Sequence, residues 1–234
     1  MMYSIVIPCY NEEQNIPNLI SSFNDIYTSG YNIELVLVNN GSTDNSKEVF
    51  AKYEGKYRFL KIVDIVKNEG YGNGIYQGML ATDGQYIGMM HADMQSDPLE
   101  VTKAIKYIEN NNYPKNIFIK GRRKNRPLLD TFFTCGMSIF ETIYLKEYMY
   151  DITAQPTIFS RFFFETMHNP PKDFLYDLYL YYHAKKLKYN IYRFPIIQKP
   201  REFGKSSWNT GLISKLKLMK RVFEYSIRLK KTYK

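Results

Sequence analysis

The sequence predicts an α/β fold in which a largely parallel, doubly wound sheet is flanked by helices. Over about the first 120 residues, short apolar runs rich in Val and Ile alternate with helical stretches, as in βαβ units whose strands are covered on both faces. Polar residues follow these runs at the points where strands would end. Right-handed crossovers bring such ends to one edge of the sheet, where ligands bind.

The first half of the chain supplies five of the predicted strands. They cover residues 3–9, 33–39, 59–66, 85–91 and 116–120. Asn11 is predicted as a helix N-cap, with Glu12 and Glu13 in the first turn. Further helices are expected over residues 45–53, in the segment whose loop and first turns contain the glycines of 70–78, and from Asp97-Pro98 to about Asn110.

The second half follows a different pattern. An apolar, aromatic stretch over residues 127–150 predicts a helix, and a loop with a short strand follows over 151–161. A helix is expected over 172–187, a strand over 189–197, a polar loop over 199–208, and a basic helix after that. We expect two units: a main domain over 1–210 and a basic amphipathic tail over 211–234.

Charge and cysteine content exclude several classes of protein. The net charge is +9, and +7 of it lies in the tail, so the body is close to neutral. Two cysteines, Cys9 and Cys135, without ligand-like spacing favour neither a disulfide framework nor a zinc site. We expect no membrane-spanning helix and no signal peptide, and therefore a cytoplasmic protein.

Four loops after the first four strands carry the candidate chemistry. They read PCYNE, NNGS, NEGYG and HADMQ, and we expect them to converge at one edge of the sheet. Any single loop of this kind could merely cap the following helix, but four together indicate a ligand site. The glycines near residue 70 do not form GxGxxG and follow the third strand, so a dinucleotide site is not indicated.

These segments, in this order and spacing, resemble family 2 of the inverting glycosyltransferases. The resemblance rests on SIVIPCYNEEQNI, ELVLVNNGSTDNS, NEGYGNG and YIGMMHADMQSDP, and is extended by DITAQPTIFSR and KPREFGKSSWN. It is closest to the branch that contains dolichyl-phosphate mannose synthase and bacterial polyprenyl-phosphate glycosyltransferases. The resemblance implies a GT-A fold that binds a nucleoside diphosphate sugar together with Mg²⁺ or Mn²⁺.

The resemblance also assigns residues to the sugar donor. They are Pro8, Tyr10, Asn11, Glu12, Asn39, Asn40, Asn68, Gly72 and Ala92. At the Asn39-Asn40 pair the family usually has at least one Asp. An Asn accepts from a base N–H but loses a charge-assisted bond to the ribose hydroxyls, which affects donor affinity or the choice of nucleotide.

The metal motif departs from the family pattern at its first residue. The branch usually reads Asp-Ala-Asp-x-Gln, whereas this chain has His91 followed by Asp93 and Gln95. Three alternatives remain open: His91 is a spectator while Asp93 anchors the metal, imidazole shifts the preference towards Mn²⁺, or the site is degenerate.

Residues in three later segments, most of them basic, resemble contacts to an acceptor phosphate. They are Arg122, Arg123, Arg126, Arg161, Arg201, Lys205 and Ser206, although such a charge run is otherwise typical of a solvated surface. A phosphate acceptor attacks without losing a proton, and a base is needed only for a hydroxyl acceptor. For that role Asp151, Asp173 and Asp177 are the candidates. The residues expected to act in catalysis are Asp93, Gln95, Arg123, Arg201 and Asp177.

The tail repeats apolar residues at helical spacing, at Leu212, Leu216, Met219, Phe223 and Ile227. Such a basic amphipathic helix either contacts anionic lipid headgroups or packs on the body with a solvated face. Since no spanning segment follows, we expect peripheral contact at the cytoplasmic face of the membrane, or contact through a membrane-protein partner.

The expected function is transfer of a sugar from a nucleoside diphosphate sugar to a polyprenyl phosphate. Two alternatives are transfer to a saccharide hydroxyl in cell-surface polysaccharide synthesis and a catalytically degenerate binding or scaffold protein. Nucleic-acid binding leaves the four loops unexplained, so we expect no nucleic-acid partner.

Overall fold

The computed structural model describes residues 1–124, 128–201, 203 and 212–233, with the side chains of 128–130, 132–133 and 212–218 excepted. The strands are β1 (Tyr3–Cys9), β2 (Ile33–Asn40), β3 (Leu60–Ile65), β4 (Tyr86–Met89), β5 (Ile117–Lys124), β6 (Thr157–Ser160) and β7 (Asn190–Ile197). The helices are α1 (Ile16–Thr28), α2 (Ser46–Tyr53), α3 (Tyr71–Leu80), α4 (Glu100–Asn110), α5 (Leu128–Leu145), α6 (Arg161–Glu165), α7 (Tyr176–Lys186) and α8 (Leu212–Thr232).

One seven-stranded sheet organises the domain, in the order β3-β2-β1-β4-β6-β5-β7. Its paired strands are parallel except where β6 meets β4 and β5, to both of which it runs antiparallel. The predicted α/β fold with a largely parallel sheet is therefore confirmed. The carboxyl ends of β1, β2, β3 and β4 lie side by side at one edge, as the sequence predicts.

Two hydrophobic clusters cover the two faces of the sheet. Alternate residues of β1 point to opposite sides, so that Ile5 and Ile7 enter one cluster and Val6 enters the other. The first cluster also contains apolar residues of α1, α2 and α4, whereas the second contains those of α3, α5, α6, α7 and α8. Burial on both faces explains why β1 and β2 are largely apolar. Two polar exceptions, Ser4 and Glu34, are buried and bind each other at 2.5 Å.

The first helix begins later than predicted, and Asn11 is not its cap. Helix α1 starts at Ile16 after Asn15, with Pro17 in its first turn. Asn11 instead adopts a left-handed conformation with φ 58°, and its side-chain oxygen accepts the backbone N–H of Thr43 at 2.8 Å. The polar pattern after β1 thus serves a contact between two loops.

Three other boundaries differ from the predictions for local reasons. Strand β5 extends to Lys124 because residues 121–124 pair with β7. Helix α5 ends at Leu145 because Lys146 has φ 58°, a conformation that terminates helices. Helix α7 starts at Tyr176, after Asp173 accepts the backbone N–H of Leu175 at 3.0 Å.

Helix α8 packs on the domain through one face. Val222 and Leu229 are buried in the second cluster, and Ser226 between them is fully buried. Phe223 of the predicted apolar stripe lies outside this face and is 45% exposed. The boundary at 210/211 falls outside the described residues and stays a prediction. Among those that are described, no helix is both long and apolar enough to cross a membrane.

Candidate functional site

Hydrogen bonds join the loops after β1, β2 and β3 into one edge. Asn11 binds the second loop at Thr43, and Asn39 at the end of β2 accepts the backbone N–H of Ser42 at 3.2 Å. Gly41, with φ 69°, lies so close to the third loop that a Cβ there would be 2.4 Å from the backbone N of Asn68. The convergence expected for these loops is therefore present.

Two residues of this edge hold the left-handed backbone conformation that ordinary side chains disfavour. They are Asn11, with φ 58°, and Met94, with φ 55°, which lies between Asp93 and Gln95. Such conformations cost on the order of 1–3 kcal/mol where the surrounding structure enforces them, and they also occur away from this edge, as at Lys146 after α5. Both strained residues belong to loops that the sequence assigns to ligand binding.

Asp93 is the acidic centre of this edge. The residue is 8% exposed, and its Oδ2 accepts Nη2 of Arg201 at 2.7 Å. Its Oδ1 accepts the backbone N–H of Gln95 at 3.2 Å, and Gln95 Nε2 donates to the backbone oxygen of Lys199 at 3.4 Å. Arg201 and Asp93, predicted separately for phosphate and metal, are thus brought into direct contact.

The loop after β1 contributes residues of different character. Pro8 is buried inside β1, whereas Tyr10 is 40% exposed and open to a ligand. Burial raises the pKa of the Glu12 carboxyl above its usual value, although Asn15 and Arg201 each oppose that shift. Glu12 therefore belongs to the same charged group as Arg201.

A buried polar chain runs from His91 into the core. The His91 ring stacks on Tyr71 with centroids 5.3 Å apart, and Tyr71 Oη accepts Nε2 of Gln155 at 2.5 Å. Gln155 Nε2 also lies 3.5 Å from Asp177 Oδ1, which is 3.8 Å from Lys120 Nζ. Asp177, a predicted catalytic residue, is 2% exposed, and its ion-pair partner Lys120 is 1% exposed.

Lys120 is buried beside Asp177, which affects the acidity of its ammonium group. Burial lowers the pKa of the ammonium group to about 8, although Asp177 opposes the shift. Nζ donates to Ala154 O at 2.7 Å and to Thr157 Oγ1 at 3.0 Å, and it also lies 5.9 Å from the centroid of the Tyr181 ring. The Lys120–Asp177 pair thus supports the loop that presents Gln155.

The remaining residues assigned to the donor lie along the same edge. Asn40 donates to Gly70 O at 3.2 Å, and Asn68 accepts the backbone N–H of Gly70 at 2.8 Å. Gly72 lies beside a cavity of about 500 Å³ between β3, α3 and residues 169–172, and Ala92 is 4% exposed in the first cluster.

The predicted acceptor residues at the end of β5 lie at this edge. Arg122 is exposed, whereas Arg123 binds Asp151 through Nε at 2.8 Å and also through Nη2. Arg123 Nη2 reaches Thr153 Oγ1 at 2.9 Å as well. Although burial alone would raise it, Arg123 and then Arg193 hold the pKa of Asp151 below its usual value.

Arg161 is not brought to this edge. Because β6 is antiparallel, its last residue, Ser160, pairs with Tyr86 at the beginning of β4. The Arg161 guanidinium binds Gly84 O at 2.8 Å and Thr82 O at 2.9 Å, at the opposite edge of the sheet. Its prediction as a phosphate contact is corrected accordingly. Arg126, Lys205 and Ser206 lie outside the described residues.

Sequence reasoning missed three side chains that the structure places at or beneath the site. They are Asp64, which accepts Nδ2 of Asn39 at 2.6 Å, and the buried Tyr71 and Lys120. Asp64 is a charged residue one position before the end of β3, and Lys120 directly follows the apolar residues that open β5. A charged residue in that position was the available signal.

The residues at Asp93 fit a divalent cation in charge. Where the structure describes the chain, no three His, Cys, Asp or Glu side chains are grouped so that they could hold a metal ion. Asp93 is nevertheless a largely buried carboxylate that holds a cationic side chain at its Oδ2. Asp93 and Gln95, completed by oxygens of a bound diphosphate, would suit Mg²⁺ or Mn²⁺.

Solved structures share this fold at low sequence identity. Glucosyl-3-phosphoglycerate synthase from Mycobacterium tuberculosis, in complex with Mn²⁺, UDP and phosphoglyceric acid, superposes with a TM-score of 0.74 at 16% identity. The alignment covers 98% of this chain and 78% of that one. A mannosyltransferase from Pyrobaculum calidifontis, in complex with GDP-Man and Mn²⁺, gives 0.67 at 16% identity, over 97% and 64% of the chains.

Curated relatives match a little under half of the chain. Dolichol-phosphate mannosyltransferase from Pyrococcus furiosus is 32% identical over 110 residues, 47% of this chain and 31% of that protein. Undecaprenyl-phosphate 4-deoxy-4-formamido-L-arabinose transferase from Shewanella sediminis is 35% identical over 109 residues, which cover 45% of this chain and 33% of that protein. The matched segment thus spans about a third of these relatives. The model of the family described as "Glycosyl transferase family 2" matches residues 4–168, more than half of the chain. With its GT-A fold, the chain belongs to glycosyl transferase family 2.

Proposed function

We propose that this protein transfers a sugar from a nucleoside diphosphate sugar to a polyprenyl phosphate at the cytoplasmic face of a membrane. The observation that carries the proposal is the Asp93–Arg201 pair at the end of β4, 2.7 Å between Oδ2 and Nη2. It places a carboxylate suited to a metal–diphosphate complex beside a guanidinium suited to phosphate. The names of the curated relatives, which act on dolichol or undecaprenyl phosphates, support the acceptor class.

The donor end of the site is built by the loops after β1 to β4. Asp93 and Gln95 would hold Mg²⁺ or Mn²⁺, and the bound ion would neutralise charge on the leaving diphosphate. The Mn²⁺ in the two structural neighbours supports this cofactor. His91, whose ring rests on Tyr71, adds an imidazole that suits Mn²⁺ better than Mg²⁺.

At the acceptor end, the main role falls to positively charged side chains that bind the acceptor phosphate. Arg122 and Arg201 would hold the acceptor phosphate so that its oxygen attacks the anomeric carbon from the side opposite the diphosphate. Arg123 is held by Asp151 and would add to the positive field there. The phosphate oxygen is already an anion, so no proton has to be removed from it. Asp177, which is buried beside Lys120, would then serve in support rather than as a base.

The face formed by α5 and α8 supports membrane contact. Ile139 and Ile143 of α5 are 60% and 73% exposed, and Phe223 of α8 is 45% exposed. Lys220 lies on the same helix as Phe223, and its side chain is 79% exposed. Apolar side chains near lysines suit an anionic lipid surface, so we propose peripheral binding there, alone or with a membrane-protein partner.

The test combines Mn²⁺ binding with transfer to polyprenyl phosphate. Asp93→Ala should abolish transfer and weaken Mn²⁺ binding in the presence of nucleoside diphosphate, as measured by electron paramagnetic resonance. Asp83→Ala, at the opposite edge beside Lys61, is the matched control and should change neither. Arg201→Ala should reduce transfer severely, and Arg201→Lys should restore only part because the bidentate fork is lost.

Three results would contradict the proposal. Full transfer activity of the Asp93→Ala variant would show that the proposed metal site at Asp93 is wrong. Transfer to hydroxyl acceptors alone, abolished by Asp177→Asn, would instead support a polysaccharide-synthesising enzyme. Binding of neither nucleotide nor metal by the wild-type protein would support a scaffold role.

A further inference from the structure

The amide of Asn39 has only one possible orientation. Asn39 and Asp64 are paired across the parallel strands β2 and β3, and Asn39 Nδ2 is 2.6 Å from Asp64 Oδ1. Asn39 Oδ1 accepts the backbone N–H of Ser42 at 3.2 Å. A carboxylate only accepts and a backbone N–H only donates, so the NH₂ end of Asn39 must face Asp64.

This orientation leaves a defined set of groups for a ligand. Asn39 keeps one free amide hydrogen, and Asp64 keeps Oδ2, which has no hydrogen-bond or ion-pair partner among the described residues. Asn39 is 4% exposed and therefore fixed, whereas Asp64 is exposed. Together the two side chains present a donor followed by two carboxylate acceptors.

The position of this pair matches the base of the proposed donor, so the inference rests on the proposed function. In the order β4, β1, β2, β3, neighbouring strands are about 4.8 Å apart, which places Asp64 on the order of 14 Å along the edge from Asp93. That span is comparable to an extended nucleoside diphosphate. A diphosphate at Asp93 therefore brings its base towards Asn39 and Asp64, past the exposed Tyr10.

The hydrogen-bonding pattern separates guanine from uracil. The pairing edge of guanine presents O6 as an acceptor, then N1–H and the N2 amino group as donors, which complements one donor and two acceptors. Uracil presents an acceptor, a donor and a second acceptor, so that one of its carbonyl oxygens would face Asp64 Oδ2. We infer that Asn39 and Asp64 select guanosine diphosphate sugars over uridine diphosphate sugars.

The inference predicts that one substitution reverses the preference. In the Asp64→Asn variant, the new amide would keep its oxygen towards Asn39 and place its NH₂ group where Oδ2 was, which gives donor, acceptor, donor. Wild-type protein should bind GDP at least about tenfold more tightly than UDP, and Asp64→Asn should bind UDP more tightly than GDP. Isothermal titration calorimetry with GDP and UDP in the presence of Mn²⁺ measures both constants.

The control is Glu69→Gln, which removes another exposed carboxylate from this edge, one that binds Lys172 at 2.7 Å. Its GDP-to-UDP affinity ratio should equal that of the wild type. Metal-dependent binding with a wild-type preference for UDP, or a ratio unchanged in Asp64→Asn, would overturn the inference and leave the proposed function standing. Binding of neither nucleotide would overturn both.

Discussion

Glu141 provides a quantitative test because its surroundings determine its protonation. This residue of α5 is fully buried, and both its carboxyl oxygens lie within 2.9 Å of Ser226 Oγ on α8. The same hydroxyl lies 2.8 Å from Val222 O, which can only accept. A serine hydroxyl has one proton, so it cannot donate to Val222 O and to an ionised Glu141 at the same time, whereas a protonated Glu141 satisfies both contacts.

The pKa of this carboxyl gives the size of the effect. Burial raises it from 4.5 to about 7, although the contact with Ser226 opposes the shift. At 1.36 kcal/mol for each pKa unit, the protonated group contributes about 3 kcal/mol to the free energy of unfolding. Because the folded-state pKa is raised, this contribution is complete below pH 4.5 and is lost as pH rises through 7.

The contribution of protonated Glu141 to stability can be measured by urea denaturation of the wild type and Glu141→Gln. Unfolding is followed by circular dichroism at pH values from about 4.5 to about 8. The glutamine can donate to Ser226 at every pH, so the wild type should lose about 3 kcal/mol relative to this variant over that range. Glu165→Gln, which changes an exposed carboxylate, should follow the wild type. A pH-independent difference between wild type and Glu141→Gln would refute the reasoning.

Three further predictions concern other contacts. Lys120→Met should lower the free energy of unfolding by about 3–5 kcal/mol, because it leaves the buried carboxylate of Asp177 without its cation. Urea denaturation measures this change, and a loss under about 1 kcal/mol would contradict the prediction. Gly78→Ala should lower the free energy of unfolding by about 1–3 kcal/mol in the same assay, since its Cβ would lie 2.3 Å from the side chain of Val6. Its control is Gly136→Ala, whose Cβ would have no atom within 4 Å and which should cause no loss of stability. Arg201→Ala should raise the affinity of Asp93 for Mn²⁺ without nucleotide, because the ion no longer competes with a guanidinium; an unchanged dissociation constant would contradict this competition.

The fold was predictable because its strands carry strong signals. The first strand, Tyr3–Cys9, is bounded as the sequence predicts, and both of its faces are buried. The meeting of the first loops was predictable too, since the carboxyl ends of parallel strands share one edge. The glycosyltransferase resemblance is confirmed by the family match. The assigned roles of the site residues stay predictions.

Features that depend on contacts distant in sequence were not predictable. The capping role given to Asn11 was wrong because its side chain binds a loop that is 32 residues away. Arg161 was misplaced because no local signal gives the direction of the short strand before it. In the sequence Asp64 is an ordinary strand residue, and only the pairing of β2 with β3 places it beside Asn39.

The reversed direction of β6 has a consequence for how this protein tolerates change. Because β6 alone runs against its neighbours, it delivers its beginning to the ligand edge and its end to the opposite one. An insertion before Thr157 would therefore displace Gln155 and the loop under His91, whereas one in α6 would disturb the core around the buried Phe163 at the other end of the strand. Variation in length before β6 among relatives should therefore accompany a change in what the site accepts.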